Sequence, residues 1–268
     1  MIRRLLLAVL LAPLLACGTA LLGSSPLGRT QLRLFPASEM DAMGIQAFEQ
    51  MKQKLPRSRD ERIVRRVTCV ARAVTAEARG ESAPKSWEIM VFEEKSANAF
   101  ALPGGKIGVH TGLLAVATDS SQLAAVIGHE VAHVLAEHGN ERASTTFVTQ
   151  SGMQVIESLS GPESPTRSQA MAVLGLGAQV GVLLPFSRAQ EREADLMGLD
   201  LMAAAGFDPR ASVALWENMS RAGGAGPPEF LSTHPSSDSR IRELQERIPS
   251  ANEIYARARA SGKRPRCE

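Results

Sequence analysis

The pattern of apolar residues is most pronounced in the first of two segments that are predicted to form strong helices. In this first segment, from Asp119 to Glu137, apolar residues cover most of the predicted helix surface; they are Leu123, Val126, Ile127, Val131, Val134 and Leu135. Asp119 can cap this helix with Gln122 completing a capping box, and Gly139 and Asn140 can end it. The pattern therefore predicts a helix with little surface left for solvent.

The second stretch runs from Ser187 to Ala205 and carries clear end signals. Ser187 and Gln190 form a capping box, and Gly206 follows the predicted end. Asp208-Pro209 then begins a third predicted helix. The end signals thus predict two consecutive helices in this part of the chain.

Upstream of these helices the pattern changes from helical to extended. Residues from Met40 to about Arg79 are predicted helical, with an apolar face formed by Ile63, Val67, Val70 and Val74. Three strands are predicted next, over Trp87–Phe92, Asn98–Leu102 and Lys106–His110. The order of elements predicts an α+β fold that is mostly helical, with a small β-sheet just before the buried helix.

Residues 1–16 have the form of an export signal. Arg3 and Arg4 give a positive n-region, and the apolar run from Leu5 to Ala16 is too short for a comfortable membrane span. This segment predicts an exported chain.

The apolar run ends in Leu14-Leu15-Ala16-Cys17, which resembles the lipobox of bacterial lipoproteins. Cleavage would then precede Cys17, and the lipid on Cys17 would anchor the chain to a membrane. The residue after Cys17 is Gly18 rather than Asp, and this choice resembles lipoproteins that are sorted to the outer membrane. The expected location is therefore the periplasmic face of a bacterial envelope, at the outer membrane. Ordinary signal cleavage near Ala20 is the alternative.

Domain boundaries follow from composition. Residues 17–40 contain Gly, Ser, Pro and Thr without clear periodicity and are predicted to form a tether. Residues 41–250 would form the folded domain, and residues 251–268 a C-terminal tail. Between the two strong helices, the glycine-rich segment 145–186 is expected to form a buried helix or a lid near the site, with a membrane span as the weaker alternative.

Two cysteines remain besides Cys17. Because an exported compartment is oxidising, a disulfide between Cys69 and Cys267 is predicted, which would pin the tail to the first helix of the domain. Two free thiols are the alternative.

Composition excludes some classes of partner. The chain has 268 residues, 44% hydrophobic and 22% charged, which suits one sizeable globular domain. The aromatic fraction is only 4%, and the net charge of +2 falls to zero if Arg3 and Arg4 are removed with the signal. Nucleic acid is therefore not expected as a partner.

The candidate chemistry lies on the buried helix, in the motif His129-Glu130-Val131-Ala132-His133. Residues four apart share one helix face, so both imidazoles can reach one zinc ion. Glu130 lies about 100° further round the helix and can activate the attacking water without being a ligand. The motif predicts a catalytic zinc site; a pair of surface histidines is the alternative, which the apolar helix disfavours.

A catalytic zinc needs a third protein ligand. Glu191 and Asp195 are four apart on the second strong helix, so they share a face. Glu191 is predicted to bind zinc, and Asp195 to accept a hydrogen bond from the far nitrogen of a ligand histidine. Glu193 lies about 200° from Glu191 and should point elsewhere. A solvated charged face is the alternative for this segment.

This combination resembles the gluzincins and, more specifically, the HtpX/BepA/LoiP/Oma-type zinc metallopeptidases. The segments that carry the resemblance are Asn98 to Gly105, Thr111 to Leu114, His129 to His133 with His138-Gly139, Ser187-Arg188 with Glu191 to Asp195, and Thr233-His234-Pro235 with Arg240-Ile241. They span residues 60–250, and the short chain with a lipobox is most similar in form to LoiP-like lipoprotein peptidases.

The resemblance implies a zincin-like fold whose edge strand faces the cleft, and several site residues. The substrate backbone would pair with the edge strand, whose residues are Asn98, Ala99, Phe100, Ala101 and Leu102. His234 would lie at the metal, as an oxyanion stabiliser or as a fourth ligand, and Arg240 would support the same region. One zinc ion per chain is expected.

The implied function is hydrolysis of peptide bonds in misfolded or stalled envelope proteins. The alternative is a lipoprotein that binds or helps assemble envelope proteins, with a latched and rarely active zinc site. A purely structural zinc site is a third reading, which the central Glu130 disfavours. Specific substrates, cleavage preference and oligomeric state do not follow from the sequence.

Overall fold

The computed structural model describes residues 22–160, 185–222, 229–234 and 238–268. The predicted signal segment, residues 1–16, and Cys17 lie outside the described residues, as do residues 161–184 of the predicted lid.

The described part of the chain is mostly helical with two small sheets, which confirms the predicted α+β class. The strands are β1 (Leu22–Ser24), β2 (Thr30–Leu32), β3 (Glu88–Phe92), β4 (Ala99–Leu102) and β5 (Lys106–His110). The helices are α1 (Ala37–Lys54), α2 (Glu61–Thr75), α3 (Ser120–Leu135), α4 (His138–Ser160), α5 (Arg188–Ala204), α6 (Ala211–Arg221), α7 (Glu229–Thr233) and α8 (Asp238–Ala260), with a 3₁₀ turn at Thr111–Ala115.

The three-stranded sheet leaves β4 at its edge. Its order is β3-β5-β4, with β5 parallel to β3 and antiparallel to β4. All three strands lie within one residue of their predicted bounds. Among the described strands β4 pairs with β5 alone, and it also packs against α3.

Residues 22–40 were predicted to belong to a tether, but they are folded, so the prediction is wrong for this segment. Strands β1 and β2 form a hairpin. The side chain of Gln31, only 1% exposed, donates through Nε2 to the carbonyl of Ala136 at 2.8 Å. Specific polar contacts of this kind cannot be recognised in a segment that lacks periodicity.

The helical region predicted from Met40 to Arg79 is two helices rather than one. Helix α1 ends at Lys54, where Leu55 turns to an extended conformation directly before Pro56. A residue before proline is disfavoured in helical conformation, which explains the break. Asp60 then caps α2 by accepting hydrogen bonds from the amides of Arg62 and Ile63.

Helix α3 begins as predicted but ends earlier. Asp119 accepts a hydrogen bond from the amide of Gln122, whereas the Gln122 side chain bonds Thr118 instead of closing the box. The left-handed residue after the helix is Glu137, with φ of 52°, and Gly139 already belongs to α4. Helix α5 has the full Ser187–Gln190 capping box that was predicted.

The predicted C-terminal tail is part of the fold. Helix α8 continues to Ala260, and Ala251 and Ala258 are buried on its inner face. Beyond it, Cys267 is joined to Cys69 of α2 by a disulfide with a Cα–Cα distance of 5.4 Å. The tail therefore closes back onto the first half of the domain.

Helices α3 and α5 touch through glycine. Gly198 of α5 faces Gly128 of α3, and a Cβ built on Gly198 would lie 2.7 Å from the amide nitrogen of His129. A heavy atom at that distance overlaps the backbone, so only glycine lets the two helices approach this closely. This contact sets the spacing between the two halves of the candidate site.

We expect Gly198→Ala to lower the free energy of unfolding by about 1–3 kcal/mol, because the added methyl must push apart two helix backbones. Urea denaturation measures this change. Gly139→Ala is the matched control, because a Cβ added at Gly139 would meet only atoms that are 3.9 Å away. Gly262→Ala would be less informative, because Gly262 has a φ of 90°, which strains any other residue. An unchanged midpoint for Gly198→Ala would contradict the close contact.

Within the described residues, no helix has the length and apolar character needed to cross a membrane.

Candidate active site

The candidate site is assembled by three segments that are distant in sequence. Helix α3 contributes His129, Glu130 and His133, α5 contributes Glu191, and His234 lies directly after α7. All five side chains are buried. Burial of so many polar groups in one place is costly unless they bind one another or an ion.

Four of these residues place donor atoms within 4.8 Å of one another: His129, His133, Glu191 and His234. His129 Nε2 lies 3.0 Å from His133 Nε2 and 3.1 Å from His234 Nδ1. Oε1 of Glu191 lies 2.9 Å from His234 Nδ1 and 3.4 Å from His133 Nε2. The predicted ligands therefore meet, and His234 joins them.

The donor set fits zinc. Nitrogen and oxygen ligands bind zinc at about 2.0–2.1 Å in a tetrahedron, which places neighbouring donor atoms roughly 3.3–3.4 Å apart. The Nδ1 atoms of His129 and His133 each contact another side chain, which favours the ring proton on Nδ1. The two Nε2 atoms then carry lone pairs, and these lone pairs face each other at 3.0 Å. A bound cation would turn this repulsion into attraction.

Asp195 lies beside the far nitrogen of the His129 ring. Its Oδ1 lies 3.0 Å from His129 Nδ1. Arg240 holds Asp195 with two hydrogen bonds, from Nε to Oδ2 at 2.6 Å and from Nη2 to Oδ1 at 2.8 Å. A carboxylate of this kind fixes the tautomer of a ligand histidine and leaves its Nε2 free for the metal.

Arg240 also holds the ligand carboxylate. Its Nη1 lies 2.5 Å from Oε2 of Glu191, and its guanidinium stacks 4.2 Å from the ring centroid of Trp216. Burial alone would raise the pKa of Glu191, but the net pKa is lowered, which the contact with the Arg240 guanidinium favours. Glu191 is therefore held ionised, as a metal ligand must be.

Glu130 stands beside the donor set without being part of it. Its Oε2 accepts a hydrogen bond from the amide of Ala101 in β4 at 3.3 Å, and its Oε1 lies 3.4 Å from His234 Nε2. Burial raises the pKa of Glu130, while His234 and His129 partly oppose the shift. The carboxylate thus lies between the donor set and the edge strand.

Two residues near His133 were missed by the sequence analysis. His138 was named there only within a segment that carries the family resemblance, and Glu193 was expected to point away from Glu191. His138 Nδ1 lies 2.9 Å from His133 Nδ1, and its Nε2 lies 3.1 Å from Oε2 of Glu193. Glu193 does point away from the donor set, yet it reaches His133 through His138. The available signal was the presence of two further acids, Glu193 and Asp195, directly after Glu191 on the same helix.

A cleft of about 720 Å³ opens beside these residues and runs along β4. Every residue of the predicted substrate strand lines it, although Asn98 lies just before β4. Much of the rest is apolar, contributed by Met40, Met43, Ala47, Val134 and Phe147. The edge strand, Glu130 and two members of the donor set, His133 and His234, therefore line one cleft.

An HExxH helix and a glutamate from a second helix, gathered around one buried donor set, define a metallopeptidase domain of the zincin class. The profile described as "Peptidase family M48" matches residues 58–248. The chain belongs to peptidase family M48, whose metal is zinc.

Individual relatives agree with this assignment. The chain is similar to "Mitochondrial metalloendopeptidase OMA1" of Schizosaccharomyces pombe, at 41% identity over 62% of this chain and 48% of the relative. It is similar to "Metalloendopeptidase OMA1, mitochondrial" of Danio rerio, at 37% identity over 88% of this chain and 52% of the relative. "Beta-barrel assembly-enhancing protease" of Yersinia pestis is 27% identical over 82% of this chain and 45% of the relative.

The chain thus spans about half the length of these relatives. Two are mitochondrial by name and one is a bacterial protease, so the similarity is to peptidases of more than one compartment.

Proposed function

We propose that this protein is an endopeptidase that cleaves extended polypeptide at a zinc ion held by His129, His133 and Glu191. The observation that carries the proposal is the position of Glu130, which lies between the donor set and the amide of Ala101 on the edge strand. A carboxylate in that position can reach both a water molecule and a backbone paired with β4. Zinc, when bound, supplies Lewis-acid activation of water and of the scissile carbonyl.

The edge strand would hold the substrate. The carbonyl of Asn98 and strand residue Phe100 pair with β5, so the peptide groups of Ala99 and Ala101 face outward. An extended substrate can add to such an edge as a further strand. Main-chain pairing gives little sequence preference, and the apolar cleft favours segments rich in apolar side chains, as in misfolded proteins.

Glu130 would act as the general base and then as the acid. Its carboxylate accepts a proton from the attacking water and returns it to the leaving amine. His234, with Nε2 3.4 Å from Glu130 Oε1, is placed to share the negative charge that develops on the carbonyl oxygen. Asp195 and Arg240 hold His129 and Glu191 in place during both steps.

His234 also supports a second candidate function. With His234 in place the donor set has four members, whereas a catalytic zinc keeps one position open. In this alternative the site is latched, and the protein mainly binds or assists envelope proteins. Rescue of a deletion strain by Glu130→Gln as fully as by wild type would favour that role.

The biological setting belongs to the same proposal. The lipobox-like segment before Cys17 supports a lipoprotein at the periplasmic face of the bacterial outer membrane, where it would remove misfolded or stalled envelope proteins. Similarity to a bacterial protease named for β-barrel assembly is compatible with this setting.

Casein degradation and zinc content measured together test the proposed function. We expect about one zinc per chain, casein cleavage by the zinc-loaded protein, loss of cleavage after chelation, and recovery when zinc is added back. Absence of zinc from a folded sample supplied with the metal, or cleavage that resists complete removal of zinc, would reject the proposal.

A further inference from the structure

The two histidines of α3 are oriented by different means. His129 Nδ1 lies directly beside Asp195 Oδ1 at 3.0 Å. His133 Nδ1 instead lies 2.9 Å from another imidazole nitrogen, Nδ1 of His138, which is the first residue of α4. Among the described residues, the ring of His129 is therefore oriented by a carboxylate, whereas the ring of His133 is oriented by a second imidazole.

A consistent set of protons follows from these contacts. His133 turns Nε2 toward the donor set, so its neutral ring carries the proton on Nδ1 and donates it to His138 Nδ1. The proton of His138 is then on Nε2, 3.1 Å from Oε2 of Glu193, which accepts it. Glu193 thus fixes the tautomers of both rings, as a carboxylate next to a ligand histidine does directly elsewhere.

Glu193 is itself held by the N-terminal hairpin. Arg29 Nε donates to Oε2 of Glu193 at 3.1 Å, and the amide of Leu27 donates to Oε1 at 3.3 Å. Arg29 also pairs with Glu141 of α4, with Nη2 2.7 Å from Oε2. One guanidinium therefore ties the hairpin to the helices that carry His138 and Glu193.

We infer that the hairpin at residues 22–32 positions His133 for zinc through Arg29, Glu193 and His138. The inference rests on the proposed zinc site and adds three positioning residues to it. Loosening the hairpin would leave Glu193 without its cationic partner and His138 without a fixed acceptor. The Nε2 lone pair of His133 would then be less well directed, and zinc would bind more weakly.

Zinc affinity, measured by competition with a chromogenic chelator, tests the inference. We expect Glu193→Gln to raise the zinc dissociation constant about 10- to 100-fold, the range found when partners of ligand residues are altered. Arg29→Ala should raise it roughly tenfold through the same contacts. The double variant should lose less than the two single effects combined, because both substitutions interrupt one chain of hydrogen bonds.

Arg33→Ala is the matched control. Arg33 follows β2, its side chain is 30% exposed against 28% for Arg29, and it pairs with Glu137 rather than with Glu193. It should bind zinc within about twofold of wild type while losing comparable thermal stability without metal. Visible spectra of Co²⁺-loaded protein add a readout of ligand geometry: Glu193→Gln and Arg29→Ala should shift the bands, and Arg33→Ala should not.

The outcomes separate this inference from the proposed function. Wild-type zinc affinity in folded Glu193→Gln, or equal losses for Arg29→Ala and Arg33→Ala, would overturn the inference and leave the peptidase proposal standing. A wild-type protein that binds neither Zn²⁺ nor Co²⁺ would defeat both.

Discussion

Glu130→Gln is expected to reduce kcat for casein cleavage by about a hundred- to ten-thousandfold, while zinc content stays at about one per chain. The amide keeps the size of the side chain but cannot take a proton from water. Glu130 does not belong to the four-residue donor set, so the metal should remain bound. Initial rates and metal content of the same purified sample measure both effects.

Glu88→Gln provides the control for the same chemical change. Glu88 lies in β3 of the same sheet, where it pairs with Lys52 and Lys106, and it is not one of the residues that line the cleft. The Glu88→Gln variant should cleave casein at the same rate as wild type. Near-normal cleavage by Glu130→Gln would remove the base from the proposed mechanism, and loss of zinc from this variant would make Glu130 a ligand instead.

Glu191→Ala is expected to weaken zinc binding by more than about a hundredfold and to bring cleavage down to background. Glu191 is the one carboxylate of the donor set, and its removal leaves the guanidinium of Arg240 next to the position of the cation. Loss of a ligand combined with an uncompensated positive charge should exceed the 10- to 100-fold effect of altering a partner of a ligand. Equilibrium dialysis against zinc measures the affinity.

Asp195→Asn supplies the comparison within the same helix. Asp195 contacts His129 and Arg240 but contributes no atom to the donor set, so its substitution should weaken zinc binding by only about 10- to 100-fold. A larger loss in Asp195→Asn than in Glu191→Ala would show that the roles of the two acids have been exchanged.

Local sequence patterns predicted the parts of the site that depend on a single helix. The spacing of four between His129 and His133, and again between Glu191 and Asp195, fixes which side chains share a face. End signals placed the start of α5 at Ser187, and strand patterns placed β4 within one residue. These features are determined by neighbours in sequence.

The remaining contacts depend on how distant segments return to the site. His234 was placed at the metal only through resemblance, because a histidine in a loop carries no pattern that identifies its partners. Glu193 reaches His133 only because α4 begins directly after the left-handed Glu137 and turns His138 back toward α3. Arg29 belongs to a segment without periodicity, so the hairpin and its contacts could not be anticipated.

A crystal structure of the zinc-loaded protein, with anomalous scattering measured at the zinc edge, tests most directly whether His129, His133 and Glu191 bind one zinc ion. We expect one strong peak per chain, about 2.0–2.1 Å from Nε2 of His129, Nε2 of His133 and a carboxylate oxygen of Glu191. A peak elsewhere in the chain, or one at the two histidines with the Glu191 carboxylate out of coordination range, would contradict this expectation.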